Sequence, residues 1–240
     1  MCAVFVATDM EHLGMWRNDL EGKGFSIIPE VLSPSEVIGF LDALSALPLQ
    51  RSRAGIRHAL RHSAIKELAN SPKLLKIAQC VLGHAALAFR ATLFDKSPAS
   101  NWLVVWHQDT ALPLQERRAL TGWGPWSVKD GVIYAHAPAT ALRRILALRV
   151  HLDDSTARNG PLRVLPGTHM QSVLTDDDIH QLATQIAAVD CLVPTGGILA
   201  MRPLLVHSSS KSLVKPRRRV LHIEYAASLD VEDGFKLAIA

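Results

Sequence analysis

Trp102-Leu103-Val104-Val105-Trp106-His107-Gln108-Asp109 is a run of β-branched and aromatic residues that closes on a histidine and an aspartate two positions apart. Such residues suit a pleated strand. A strand points alternate side chains to one face, so His107 and Asp109 would present an imidazole and a carboxylate side by side. The chain around this run has the same texture. Apolar runs at Ala86–Phe94, Ile145–Leu152, Gly197–His207 and Arg219–Tyr225 are separated by Gly, Pro, Asn and Asp, the pattern of short strands in a sandwich or barrel. A short helix interrupts them, capped by Thr175 with Asp176, Asp177 and Asp178 in its first turn.

The first third reads as helical. Ser33-Pro34-Ser35-Glu36 is a capping box with proline at the first helical position. Val37, Phe40, Leu41, Leu44 and Leu47 follow at helical spacing. A second helix starts near Ser71-Pro72 and ends at Gly83, a natural C-cap.

A chain of 240 residues with 48% hydrophobic residues can build a sizeable core as one domain, 1–240. The net charge of +4 is spread along the sequence. Its one dense run, Lys215 to Arg219, contains Pro216 and leads into an apolar strand, which makes a poor nucleic-acid tail. The charge gives weak support for an acidic small-molecule substrate and none for a nucleic acid. Cys2, Cys80 and Cys191 form neither a disulfide framework nor a zinc site, and read as free thiols of a reducing, cytoplasmic environment. Residues 1–10 lack the basic start of a signal peptide, and no apolar run is long enough to span a bilayer.

Two ligands from a His-x-Asp dyad and a third from a distant histidine make the 2-His-1-carboxylate triad that holds non-haem iron(II) and leaves positions open. The sequence offers three dyads: His107-Gln108-Asp109, His151-Leu152-Asp153 and His222-Ile223-Glu224. Chance alone supplies on the order of one in a chain this long, so the motif by itself is weak. His207, closing the apolar run Leu204-Leu205-Val206, is a candidate for the distal ligand, and Arg218 follows eleven residues later. The dyad at 222 lies beyond both. Spacing leaves the dyads at 107 and 151 equally open.

Four stretches, in order, resemble the phytanoyl-CoA dioxygenase family over most of the chain: Trp106-His107-Gln108-Asp109, His151-Leu152-Asp153-Asp154, Asn159-Gly160-Pro161 through Pro166-Gly167-Thr168-His169, and His207-Ser208-Ser209 with Arg218. The resemblance implies an α+β fold, mainly β with flanking helices: a double-stranded β-helix, the jelly-roll or cupin-like barrel, with a helical N-terminal third packed outside. It implies that His107, Asp109 and His207 bind Fe(II), and that Arg218 and Ser209 hold the distal carboxylate of 2-oxoglutarate. A planar guanidinium suits a carboxylate. It implies a dioxygenase that consumes O2 and 2-oxoglutarate, releases succinate and CO2, and hydroxylates a small molecule. Asp109 itself argues against halogenation, for which related proteins have a small residue at that place. The chain departs from the family twice. Arg149 stands where a tryptophan is usual, as a second cation for the pocket, and Gly196-Gly197 replaces Gly-Asp.

Arg217 and Arg219 compete with Arg218. Alternation puts Val220, His222 and Glu224 on the face of Arg218, and Leu221, Ile223 and Tyr225 on that of Arg219. The polar face suits a wet site, but one residue of slip would exchange them. His151 is expected inside the barrel away from the metal, and His169 in a turn. Trp102, Trp106, Trp123 and Trp126 are expected in the core. Gly122-Trp123-Gly124-Pro125-Trp126 reads as a loop, and with Lys129 it is a candidate substrate lid. A different class of function also fits: a non-catalytic barrel that binds metal and 2-oxoglutarate as a sensor or stabilising subunit. A nucleic-acid dealkylase is disfavoured by the absence of a clustered basic and aromatic stretch.

Overall fold

The computed structural model describes residues 8–47 and 55–240. Cys2 and the first residues of the chain lie outside them. The N-terminal part comprises α1 (Thr8–Lys23), β1 (Phe25–Ile28), α2 (Pro34–Ser45), α3 (Ser63–Ala69) and α4 (Pro72–Leu82). Strands β2 (Leu87–Lys96), β3 (Val104–His107), β4 (Ala111–Leu114), β5 (Trp126–Lys129) and β6 (Val132–His136) follow. The rest is α5 (Ala139–Leu142), β7 (Ile145–His151), β8 (Leu162–Val164), α6 (Asp176–Gln185), β9 (Val189–Cys191), β10 (Ile198–Met201), β11 (His207–Ser209) and β12 (Arg218–Ala226).

Helices α2 and α6 start where their capping residues place them. Ser33 and Glu36 make the reciprocal bonds of a capping box at α2, and Thr175 and Asp178 do so at α6. Each box satisfies donors that a first helical turn leaves without partners. Glu36 also accepts from Lys73 Nζ at 2.7 Å, which ties α2 to α4.

Two antiparallel sheets make a double-stranded β-helix. The larger has the order β1-β10-β7-β12-β2 and the smaller β3-β11-β8-β9. Non-sequential neighbours in both sheets are the mark of the jelly roll. The outer face of the large sheet, with Leu146, Leu148, Val150, Leu221, Ile223 and Tyr225, packs on Leu20, Phe40, Ile65 and Leu74 of the helices. Burying each such side chain contributes about 1.5–3 kcal/mol. Tyr225 carries one polar atom into this layer, and its hydroxyl donates to Ala69 O at 2.7 Å.

Between the sheets the barrel is apolar at one end. There Ala147, Leu199 and Met201 of the large sheet meet Leu162, Val164 and Cys191 of the small one. The other end is open and polar. A third sheet, β4-β6-β5, stands beside it, anchored by Trp123, Leu112 and Leu114 on Phe235 and Leu237.

Two strand expectations need correction. The run Gly197–His207 is not one strand: β10 stays in the large sheet, and the chain turns through 202–206 before β11 joins the small sheet. Arg202 and Pro203 cause the break, for Arg202 N–H bonds to Gly24 O and Leu205 N–H to Arg202 O, each at 2.9–3.0 Å, and proline offers no donor to a ladder. Trp126, read as loop, opens β5 and pairs with Ala135. Cys80 and Cys191 are free thiols. Among the described residues no helix is long and apolar enough to cross a membrane.

Candidate metal centre and its cavity

His107 and His207 stand directly opposite each other on neighbouring antiparallel strands, β3 and β11. Opposed residues share a face, and the two imidazole centroids are 4.2 Å apart. Asp109 lies two residues beyond, just past the end of β3, where its N–H donates to Pro203 O at 2.9 Å. Gln108 points the other way: its amide donates to Leu204 O and accepts from Leu174 N–H. This stitching turns the carboxylate of Asp109 inward.

The ligand-type atoms of His107, Asp109 and His207 all lie within 4.8 Å of one another. The Asp109 oxygens are 3.6 Å from His107 Nε2 and 3.5 Å from His207 Nε2, separations that one ion held at about 2 Å from each atom can bridge. His107 Nδ1–H donates to Val105 O at 2.9 Å and His207 Nδ1–H to Leu205 O at 2.8 Å. These bonds fix the tautomer and leave both Nε2 lone pairs aimed at the centre, as metal-binding histidines require.

The charge distribution favours the ligand forms of His207 and Asp109, while, against burial, Asp109 raises the pKa of His107. Burial holds the pKa of His207 down to about 4, with His107 adding to the effect. Burial opposes the charge on Asp109, yet His207 and His107 outweigh it and hold the carboxyl well below its usual range. A bare imidazole and a carboxylate are the states that coordinate a cation. Two histidines and one carboxylate with a free side facing a cavity fit iron(II).

The cavity measures about 520 Å³, within the range of small-molecule sites. Arg218, His222 and Glu224 of β12 line it, while Leu221, Ile223 and Tyr225 lie under the helices. The three arginines are thereby separated. Arg217 pairs with Asp95, and Arg219 makes a two-pronged pair with Asp153 at 2.7–2.8 Å. Arg218 is buried, and its Nε–H donates to Asn159 O at 3.2 Å. Ser209 faces the same space, donating to Gly160 O and accepting from Lys96 Nζ at 2.7 Å. Arg149 lies on the floor, over the ring of Phe94 and 3.1 Å from His222 Nδ1.

Lys96 is the residue that spacing arguments miss. It is 2% exposed and ends β2, on which Arg90, Thr92, Phe94 and Lys96 all face the cavity. That period-2 alternation is the signal that would have found it. Burial, Arg218 and Arg149 lower its pKa to about 7. Lys96, Arg149 and Arg218 thus converge with Ser209 on one end of the cavity, an arrangement suited to a carboxylate.

Other candidates do not line the cavity. His151 ends β7 on the inward face it shares with Arg149, buried and bonded to Ser155, away from the triad as expected. His169 bonds to Glu21 O beside α1. The Gly122–Trp126 segment does not cover the cavity, contrary to the lid expectation. Trp123 packs on Phe235, 4.5 Å between ring centroids, and donates to Asp233, because a buried indole gains more there than over water. Lys129, assigned to the same lid, does line the cavity, as do Trp102 and Tyr134.

Comparison with known proteins agrees with this geometry. The sequence profile of the phytanoyl-CoA dioxygenase family matches residues 20–220. An L-proline trans-4-hydroxylase of Streptomyces griseoviridis is 25% identical over 184 residues, 66% of this chain and 61% of that protein. The chain therefore spans about three fifths of the length of this curated relative. AviO1 from Streptomyces viridochromogenes Tue57 superposes with a TM-score of 0.66 at 18% identity, covering 94% of this chain and 96% of that one. The epimerase SnoN of nogalamycin biosynthesis, crystallised with Fe3+, α-ketoglutarate and nogalamycin RO, gives 0.68 at 18% identity over 91% and 84%. EctD from S. alaskensis with 2-oxoglutarate and 5-hydroxyectoine gives 0.66 at 18% identity over 87% and 74%. The profile covers every strand except most of β12 and all three residues of the triad, and on that match the chain belongs to the phytanoyl-CoA dioxygenase family.

Proposed function

We propose that this chain is one iron(II)- and 2-oxoglutarate-dependent oxygenase domain that hydroxylates a small molecule, converting R–H, O2 and 2-oxoglutarate to R–OH, succinate and CO2. The observation that carries the reading is the meeting of His107, Asp109 and His207 around one point at the wall of a cavity that has a cationic end. His107, Asp109 and His207 hold the metal. Arg218, with Ser209, Lys96 and Arg149 beside it, binds the distal carboxylate of 2-oxoglutarate. Iron(II) bound there supplies the activation of O2 coupled to decarboxylation of the oxo acid.

The protein's part is positioning and exclusion of water. The Nδ1 bonds to Val105 O and Leu205 O keep the histidines from rotating away. Asp109 adds the negative charge that a 2-His site lacks and occupies the position that a halide would need. The apolar plug of Leu162 and its neighbours closes the barrel below the site. Hydroxylation, rather than the epimerisation named for SnoN, is supported by the proline hydroxylase relative and by Asp109.

Anaerobic addition of Fe(II) and 2-oxoglutarate should produce a metal-to-ligand charge-transfer band. Admission of 18O2 with substrate should then yield succinate and a product carrying one labelled oxygen. A band followed by label-free product would remove hydroxylation and keep the cofactor assignment. Absence of any band would remove both.

A further inference from the structure

The cavity is lined by six cations (Arg57, Arg90, Lys96, Lys129, Arg149 and Arg218) and two acids, Asp109 and Glu224. Neither acid is available to balance the rest. Glu224 is taken by Arg90, whose Nη2 lies 2.6 Å from Oε1 and whose Nη1 donates to Ala111 O. Asp109 faces the histidines. The remaining cations form two groups. Lys96 bonds to Ser209 at the Arg218 end, whereas Lys129 lies over the ring of Tyr134, whose hydroxyl is held by His58, the chain neighbour of Arg57. The first group suits the cosubstrate. The second, Arg57 and Lys129, lines the same cavity as Asp109 and has no carboxylate partner among the described residues.

Both cations are held by fixed backbone. Lys129 ends β5 and pairs with Val132 across Asp130 and Gly131, with φ of 47° and 81°. Two successive positive φ values make a tight type I′ hairpin turn. Lys129 Nζ lies 4.8 Å from the centre of the Tyr134 ring, and the Tyr134 hydroxyl is held by His58 Nε2 at 2.9 Å. Arg57 follows Ile56, whose N–H and C=O both bond to Leu93 of β2 at 2.9 Å. Gly55 permits this approach: its φ is +122°, and an added Cβ would come within 2.3 Å of Leu93 O. Two like charges set on rigid supports beside a cavity repel each other unless an anion sits between them.

Resting on the oxygenase reading above, we propose that Arg57 and Lys129 form a substrate-anion site, and that the substrate is a small molecule whose carboxylate or phosphate they hold while its C–H bond faces the metal. Tyr134 supplies apolar surface for the body of such a molecule, and the cosubstrate stays at the Lys96 and Arg218 end.

The test uses the protein with Fe(II) and saturating 2-oxoglutarate under anaerobic conditions. The charge-transfer band reports the cosubstrate site, and calorimetry reports the second ligand. The probes are amino acids, hydroxy acids and aromatic acids, each compared with its neutral amide and with the matching phosphate monoester. At least one acid or phosphate should bind about tenfold or more tightly than its amide. The acid and phosphate arms identify which anion the site takes. Arg57→Ala/Lys129→Ala should lose this preference with the band unchanged, and Lys129→Glu should favour the corresponding amines. Equal binding of acids and amides, no binding by any probe, or a preference kept in the double variant would each overturn the inference. A wild-type protein without the band would instead overturn the oxygenase reading.

Discussion

Arg217, Arg218 and Arg219 are chemically identical and differ only in what the fold places opposite them. Asp95 and Asp153 take Arg217 and Arg219, leaving Arg218 buried at the cavity. Arg218→Ala should therefore weaken 2-oxoglutarate binding about 10–100-fold, the loss of one charge-assisted contact of about 1.5–3 kcal/mol, while Arg217→Ala and Arg219→Ala should leave it nearly unchanged. Titration of the charge-transfer band separates the three, and a larger effect at Arg219 would reverse the facing of β12. Lys96 gives a pH-dependent case. Its folded pKa of about 7 lies below the value of about 10.4 expected in the unfolded chain. The folded state binds fewer protons between these values, so the stability of the ligand-free protein rises with pH through that window and the burial penalty is fully present below it. Lys96→Met should raise the melting temperature of the ligand-free protein most at or below neutral pH, with the gain fading toward pH 10. The same variant should bind 2-oxoglutarate more weakly. A gain that grows with pH would contradict this account of Lys96.

At the scale of elements, α2 and β12 were legible for different reasons. The capping box at Ser33 and Glu36 is a local hydrogen-bond pattern, so its residues identify it without reference to the rest of the chain. Ser33→Ala should cost about 1 kcal/mol, visible as a lower denaturation midpoint with 2-oxoglutarate affinity unchanged, because α2 packs on the outer face of the large sheet and touches nothing in the cavity. An equal loss of affinity would show that α2 shapes the site. The alternation of β12 was legible because one face is apolar and the other polar. β3, β11 and β5 were harder. β11 has three residues and β3 and β5 four each, too short for a period to declare itself, and β11 owes its existence to pairing with β3 and β8 on either side. Trp126 in β5 looked like loop because glycine and proline precede it, whereas cross-strand pairing with Ala135 decides its state.

For the whole molecule, the site and the fold oppose one another. Three cations crowd one end of the cavity, an arrangement that favours the folded chain only when an anion is bound. Fe(II) together with 2-oxoglutarate should stabilise the fold by the linkage of binding to folding, by roughly 2.7 kcal/mol at a hundredfold excess over Kd, and so raise the melting temperature. His107→Ala and His207→Ala should fold and lose the iron-dependent part of that rise. A full rise in the His107→Ala protein would move the metal elsewhere, with the His151-Asp153 dyad next in line. From the sequence alone came the helix starts, the β-rich remainder and the family resemblance with its candidate triad and Arg218. These rest on local hydrogen bonding, on alternation and on ordered motifs, all of which are written along the chain. Tertiary structure decided the rest. The jelly roll brings Lys96 within hydrogen-bonding distance of Ser209 across 113 positions, sets Arg57 and Lys129 at the cavity, and holds His151 off the cavity that His107 lines. No local pattern encodes such meetings, because they follow from which strands become neighbours, and that is settled by the burial of the whole core at once.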